Sequence, residues 1–115
     1  MKAHVQVFLA ARRLAMTKPV FTAEELETTI REMFGTNRST VSTHISSICV
    51  ANVPKPNGGA VYNYLWRLDR GNLRLFDPRN DRPHATRWSA PDRPKDADMA
   101  AAQNEMVAVP VSARS

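Results

Sequence analysis

The amino-acid sequence predicts a mainly α-helical domain closed by a small β-hairpin and followed by a largely disordered C-terminal tail. Three observations carry that prediction. Two apolar stripes of helical period, Leu26/Ile30/Met33/Phe34 and Val41/Ile45/Ile48/Cys49, stand on either side of a glycine turn. Two β-prone runs, 61–68 and 73–76, flank Asp69-Arg70-Gly71-Asn72. Beyond Asp77 come Pro78, Pro83, Pro91, Pro94 and Pro110 with few large aliphatics, a composition that does not build a core. The expected division is therefore a working domain over residues 1–77 and a Pro/Arg-containing flexible tail over 78–115. At 115 residues the chain has room for one domain, too small to enclose a deep substrate pocket.

The first helix is expected over about Ala3 to Met16, where strong helix formers carry apolar residues on two adjoining stripes, the pattern of a helix packed by two neighbours. Lys18-Pro19 stops it, because proline cannot continue the ladder and disfavours helical geometry in the residue before it. The second helix opens on a capping box, Thr22-Ala23-Glu24-Glu25, with Phe21 and Leu26 as hydrophobic staple, and closes at Gly35. The third, capped by Asn37 or Ser39, carries Ser39, Thr40, Ser42, Thr43, Ser46 and Ser47 on its outward face, joined by Arg38 and His44 and by no acidic residue. A helix built only for solubility more often carries Glu/Lys pairs there. Residues 52–60, with Pro54, Pro56, Gly58 and Gly59, form a loop. The hairpin follows, with Tyr62, Tyr64, Trp66 and Leu68 alternating onto one face and Gly71 supplying a positive φ at its turn.

Charge narrows the function. Sixteen Lys and Arg stand against eleven Asp and Glu, a net charge of +5, the sign of a partner for polyanions. The basic excess lies before the last twenty residues, and arginine outnumbers lysine twelve to four, which favours planar contacts to phosphate or guanine; a GC-rich genome accounts for the arginines equally well. No apolar run is long enough to span a membrane, no signal peptide is legible, and the lone Cys49 permits neither an internal disulfide nor a multi-thiolate zinc site. A cytoplasmic protein without cofactor, metal or membrane partner is expected.

Helix, helix, glycine turn, helix, loop and arginine-tipped hairpin is the order of a winged helix-turn-helix, three helices plus a wing, in which the third helix enters the major groove and the hairpin lies along the backbone or minor groove. The expected DNA contacts are Arg38, Ser39, Thr40, Ser42, Thr43, His44 and Ser46 on the helix and Arg67, Arg70 and Arg74 on the wing. Short hydroxyl side chains let a helix approach base edges, and arginines reach phosphates. Moreover, the run from Phe21-Thr22 to Leu26, then Ser39-Thr40-Val41 through His44-Ile45, Cys49 to Asn52, and Tyr64-Leu65 through Arg70-Gly71 to Arg74-Leu75 resembles a family of uncharacterised winged-helix domains that accompany bacterial restriction endonucleases. The resemblance covers about residues 3–77 and lacks the catalytic domain of the nuclease-fused members. It implies a recognition module: a bacterial or phage regulator, or the recognition component of a restriction or defence system, with duplex DNA as partner and a second copy or a nuclease as further partners.

Plainer readings stand beside these. The Ser/Thr face also fits a solvated helix surface, His44 a surface histidine, Cys49 a small buried hydrophobe, and Trp66 with the two tyrosines hairpin core. Glu24-Glu25 serves a helix start and is not spaced as an acid/base couple, the isolated histidines make no zinc site, and Gly58-Gly59 lacks the context of a phosphate loop. Nothing in the sequence points to an enzyme. Residues 79–95, with five basic residues and Trp88, read either as an arm along DNA or as a linker, and Asp96 to Met106 as a brief helix. The alternative function is a protein-protein interaction module, an adaptor or inhibitor that binds through the hairpin and tail.

Overall fold

A computed structural model describes residues 2–106. It has four helices and one small antiparallel sheet: α1 (Ala3–Ala15), β1 (Phe21–Thr22), α2 (Ala23–Phe34), α3 (Arg38–Thr43), β2 (Leu65–Arg67), β3 (Asn72–Leu75) and α4 (Asp96–Asn104). Helix α1 lies at the centre. Its Val5, Val7, Phe8, Ala10 and Ala11 are buried, and α2, α3, α4 and β3 pack around it. This is the broad apolar face expected of a helix with several neighbours.

Helix α2 starts as expected: the Glu25 amide donates to Thr22 Oγ1 at 3.1 Å and the Thr22 amide to Glu25 Oε1 at 2.9 Å. It ends at Gly35, whose φ of 71° is the left-handed cap that glycine takes without a Cβ clash. The buried stripe is Leu26, Ile30, Met33 and Phe34. Helix α3 is shorter than its stripe. After Thr43 the backbone widens into a π-helical turn over His44–Ile48, closed by the Cys49 amide donating to the His44 carbonyl at 2.9 Å. Cys49 is fully buried, and burial pushes its thiol pKa up, so it is an inert core residue.

The sheet differs from the expected hairpin in two ways. A third strand joins it: Phe21, expected to staple α2, also pairs with Leu73, and Thr22 with Asn72, so the strand order is β1-β3-β2. The first arm of the hairpin is also shorter than 61–68. The amides of Tyr62, Asn63 and Tyr64 donate to the carbonyls of Ile48, Pro91 and Cys49, so that of this stretch only the Tyr64 carbonyl, which accepts the Phe76 amide at 2.9 Å, still bonds to the other arm; the expected alternation is broken, and Tyr64 and Leu65 are both buried. Tyr62 and Tyr64 instead pack on α1, Tyr62 stacked on His4 at 3.8 Å and Tyr64 edge-on to Phe8 at 5.0 Å.

The largest correction concerns the tail. Residues 78–106 are not a free extension of a domain ending at 77. Met99 and Ala102 of α4 are buried against α1, and Lys2 Nζ lies 3.1 Å from Asp98 Oδ1. Arg87 is only 1% exposed. Its guanidinium donates to four backbone carbonyls: Val53 at 2.8 Å, Ile48 at 3.1 Å, Tyr62 at 3.2 Å, and Ser47. Few aliphatics suffice here because the segment is anchored by polar groups, each of which satisfies backbone atoms that the domain itself leaves open. The expected disorder of 107–115 lies outside the described residues. No helix among the described residues is long and apolar enough to cross a membrane.

Candidate nucleic-acid interface

The exposed side of α3 and its continuation faces the hairpin across a groove of about 460 Å³. Ser42, Thr43 and Ser46 line one wall, Arg67 and Gly71 the other, and Ala23 and Glu27 of α2 the third. The register of the hairpin explains why Arg67 is there. Arg67 pairs with Leu73 and Trp66 with Arg74, and cross-strand partners share a face. Arg67 therefore extends on the side of Leu65 and Leu73, toward α3, where its Nη2 donates to the Ser46 carbonyl. Asn52 holds the strand in place as a side-chain rung: its Nδ2 donates to the Arg67 carbonyl and its Oδ1 accepts the Arg67 amide, both at 2.8 Å. The Ala51 amide donates to the Leu65 carbonyl at 2.8 Å, and the Leu65 amide to that of Cys49 at 2.8 Å. Helix end and wing thus form one hydrogen-bonded piece.

At the rim, Arg38 is largely exposed and its Nε lies 2.8 Å from Glu27 Oε2, a carboxylate only 12% exposed. The pair neutralises an acidic group that would otherwise repel an anion entering the groove. Ser39 and Thr40 are exposed on the same helix outside the groove. The hairpin turn closes through the Asn72 amide on the Asp69 carbonyl, with Arg70 at φ 58° and ψ 41° and Gly71 at φ 78°. Two positive φ angles in succession match the twist of a two-residue hairpin turn. Glycine takes this conformation freely. Arginine does so at a cost of about 1–2 kcal/mol, in exchange for a cation at the exposed tip.

Two expected contacts are not brought to this face. Arg74 extends from the opposite side of the hairpin, where its Nη1 and Nη2 clasp Asp81 at 2.6 and 2.8 Å and its guanidinium covers Trp66 at 5.3 Å. The same clasp holds the Asp81 carboxyl below its ordinary range. His44 is half-buried, not an outward residue, and its Nδ1 is sealed from solvent with no hydrogen-bond partner among the described residues. His44 keeps helical geometry, and three residues after Val41 and one before Ile45 it stands at the edge of the buried stripe, off the Ser/Thr face. Tyr64, on the hairpin through which the alternative reading would bind a protein, is buried. Glu27, Asn52 and Arg87 are the site residues that the sequence reading missed. Only Asn52, a polar residue directly after an apolar helix end, gave a local signal.

Burial lowers the pKa of both His4 and His44; the charge of His44 adds to this at His4, and the Thr40 carbonyl opposes it at His44. The folded protein therefore binds fewer protons than the unfolded chain once the pH falls below about 6.5. Stability is full above that value and declines as the pH drops toward the folded-state pKa values. Carboxylates held low, such as Asp77 and Asp81, contribute stability that is lost only below about pH 4. The urea midpoint is expected to fall between about pH 7.5 and pH 5.5, and the double variant His4→Gln/His44→Gln is expected to flatten that fall. An equal slope in the variant would place the proton uptake elsewhere.

Among the described residues no group of three or more His, Cys, Asp and Glu is placed to hold a metal ion. No protein-family model, no curated protein and no solved structure matches this chain.

Proposed function

We propose that this chain is a winged helix-turn-helix protein that binds duplex DNA, with α3 and its continuation in the major groove and the hairpin as the wing. The observation that carries the reading is the shared groove, in which Ser42, Thr43 and Ser46 stand opposite Arg67. The order of elements and the pairing of β1 with β3 fit a winged helix. In this reading Ser39, Thr40, Ser42, Thr43 and Ser46 approach base edges, while Arg38, Arg67 and Arg70 hold phosphates. His44 and Arg74 act behind the interface, His44 in packing and Arg74 in fixing the wing to the 77–81 turn. The biological role implied by the sequence resemblance is occupancy of DNA by a prokaryotic or phage regulator, or by the recognition component of a restriction or defence system.

Fluorescence anisotropy of the full chain against duplex DNA, single-stranded DNA and duplex RNA at two salt concentrations tests the reading. Duplex DNA is expected to bind best and to weaken steeply with salt. Arg67→Ala/Arg70→Ala should weaken every duplex and reduce the magnitude of the log–log salt slope by about 2, one for each lost phosphate contact. Thr43→Ala should instead change the preference among sequences. Arg70→Gly separates binding from folding: relief of the left-handed strain is expected to stabilise the protein by about 0.5–1 kcal/mol while duplex binding weakens. Absence of binding to all three probes at low salt would transfer the reading to a protein partner.

A further inference from the structure

A second concave surface lies on the opposite side of the hairpin from the α3 groove. It is a cleft of about 410 Å³ whose walls include Asn63, Phe76, Arg79, Arg82, Trp88 and Asp92. Asn63 is 2% exposed. Its Nδ2 donates to the carbonyls of Arg87 at 3.1 Å and Ala90 at 3.2 Å, and its amide to that of Pro91 at 2.8 Å. Because two carbonyls take the NH2 protons, the orientation of the side-chain amide is fixed and flipping it would set oxygen against oxygen. Its Oδ1 is left buried with no donor among the described residues. Oδ1 is sealed from water, so a donor meets it only where the wall of the cleft yields locally, and that contact returns the free energy that a dry, unpaired acceptor costs.

The rest of the cleft defines what that donor belongs to. Trp88 is 82% exposed, an indole held out in water beside the cleft. Arg79 and Arg82 are exposed, and neither guanidinium has an ion-pair partner among the described residues, whereas Asp81 is already taken by Arg74. A stacking surface, a buried acceptor and two free cations together suit a planar heterocycle that bears an N–H and is tethered to an anion. We propose that this cleft binds an unpaired nucleobase carrying a phosphate, with the base stacked on Trp88, an N–H of its pairing edge donated to Asn63 Oδ1, and the phosphate held by Arg79 and Arg82. An apolar ligand would leave Oδ1 unpaired, and a neutral sugar would leave both arginines unused. Each nucleobase has an N–H on its Watson–Crick edge, and pairing occupies that edge in a duplex. The ligand is thus a free nucleotide or a base in a single strand. The inference does not rest on the duplex reading, since the two surfaces share no residue.

The experiment is an NMR titration of the ¹⁵N-labelled full chain, following the Trp88 indole N–H and the Asn63 side-chain NH2. The probes are AMP, CMP, ribose 5-phosphate and a short single-stranded oligodeoxynucleotide. AMP, CMP or the oligonucleotide is expected to move both signals, and ribose 5-phosphate to move neither. Binding by the mononucleotides assigns the site to free nucleotides, and binding by the oligonucleotide alone assigns it to strands. Trp88→Ala, an exposed position that does not threaten the fold, is expected to weaken binding at least about tenfold, and Arg79→Gln/Arg82→Gln to weaken AMP and CMP without weakening adenosine and cytidine, added as phosphate-free controls. Duplex binding is expected to be the same in Trp88→Ala as in the parent chain. Three results would overturn the inference: no shift with AMP, CMP or the oligonucleotide; unchanged nucleotide affinity in Trp88→Ala; or duplex affinity lost together with Trp88. A failure of the duplex reading alone would appear in the Arg67 and Arg70 variants and leave these signals untouched.

Discussion

A chain ending at Asp77 is expected to lose cooperative folding, although residues 1–77 contain every helix and strand of the body except α4. Truncation removes Met99 and Ala102 from the face of α1 and opens that face to water. It strips Asn63 of its three carbonyl partners and deprives the carbonyls of Ser47, Ile48, Val53 and Tyr62 of their shared donor. Burial of one methionine stabilises by about 1.5–3 kcal/mol, and the lost hydrogen bonds add about 1 kcal/mol each even though water replaces the donor. The sum, about 5 kcal/mol or more, is comparable to the whole stability of a small domain. Urea unfolding followed by far-UV circular dichroism reads this directly. A sharp transition in the 1–77 fragment within about 1 kcal/mol of the full chain would show that the C-terminal packing is dispensable.

Replacement of Arg87 by methionine is the most damaging single substitution we expect, at about 3–4 kcal/mol. The case differs physically from truncation. With residues 78–106 still in place, the four carbonyls stay shielded from water; those of Ile48 and Ser47 keep the amides of Tyr62 and Val50, whereas those of Val53 and Tyr62 lose their donor without gaining a solvent partner. The arginine is buried without a carboxylate among its hydrogen-bond partners; two of the carbonyls, of Ser47 and Ile48, belong to the end of the helix, where the backbone presents its negative pole. Burial draws the guanidinium pKa down, but arginine remains charged throughout the accessible pH range. Arg87→Lys is expected to recover part of the loss, since an ammonium has three donors and no planar fork to span carbonyls from residues 47 to 62. Thermal unfolding of both variants checks the order. If methionine proved as stable as the parent, the carbonyls would have found other partners.

The same anchor bears on function. Arg87 ties together the end of the α3 continuation, the loop at Val53 and the approach to β2 at Tyr62, and these set the spacing between the Ser/Thr face and Arg67. A residue read as part of a flexible arm thereby fixes the geometry of the proposed interface. It touches neither groove residue directly and is a positioning residue.

Features that depend on residues a few positions apart can be read along the chain. The capping box at Thr22 and Glu25, the stripe from Leu26 to Phe34, the stop at Gly35 and the turn at Gly71 are each set within one helix or one hairpin loop, where propensity and period act. The exposed Ser/Thr face of α3 was legible for the same reason. Tertiary structure alone decided the pairing of Phe21 with Leu73, the capture of Arg87 by carbonyls 25 to 40 residues away, and the docking of Met99 on α1. Two proposed contacts were misplaced by smaller geometric choices. Its place beside the buried Val41 and Ile45 withdrew His44, and the alternation of strand faces sent Arg67 to α3 and Arg74 to Asp81. Periodicity reports which residues are apolar along one element, but the partner of a polar side chain is chosen in space, by whichever unsatisfied group the packed chain brings within reach.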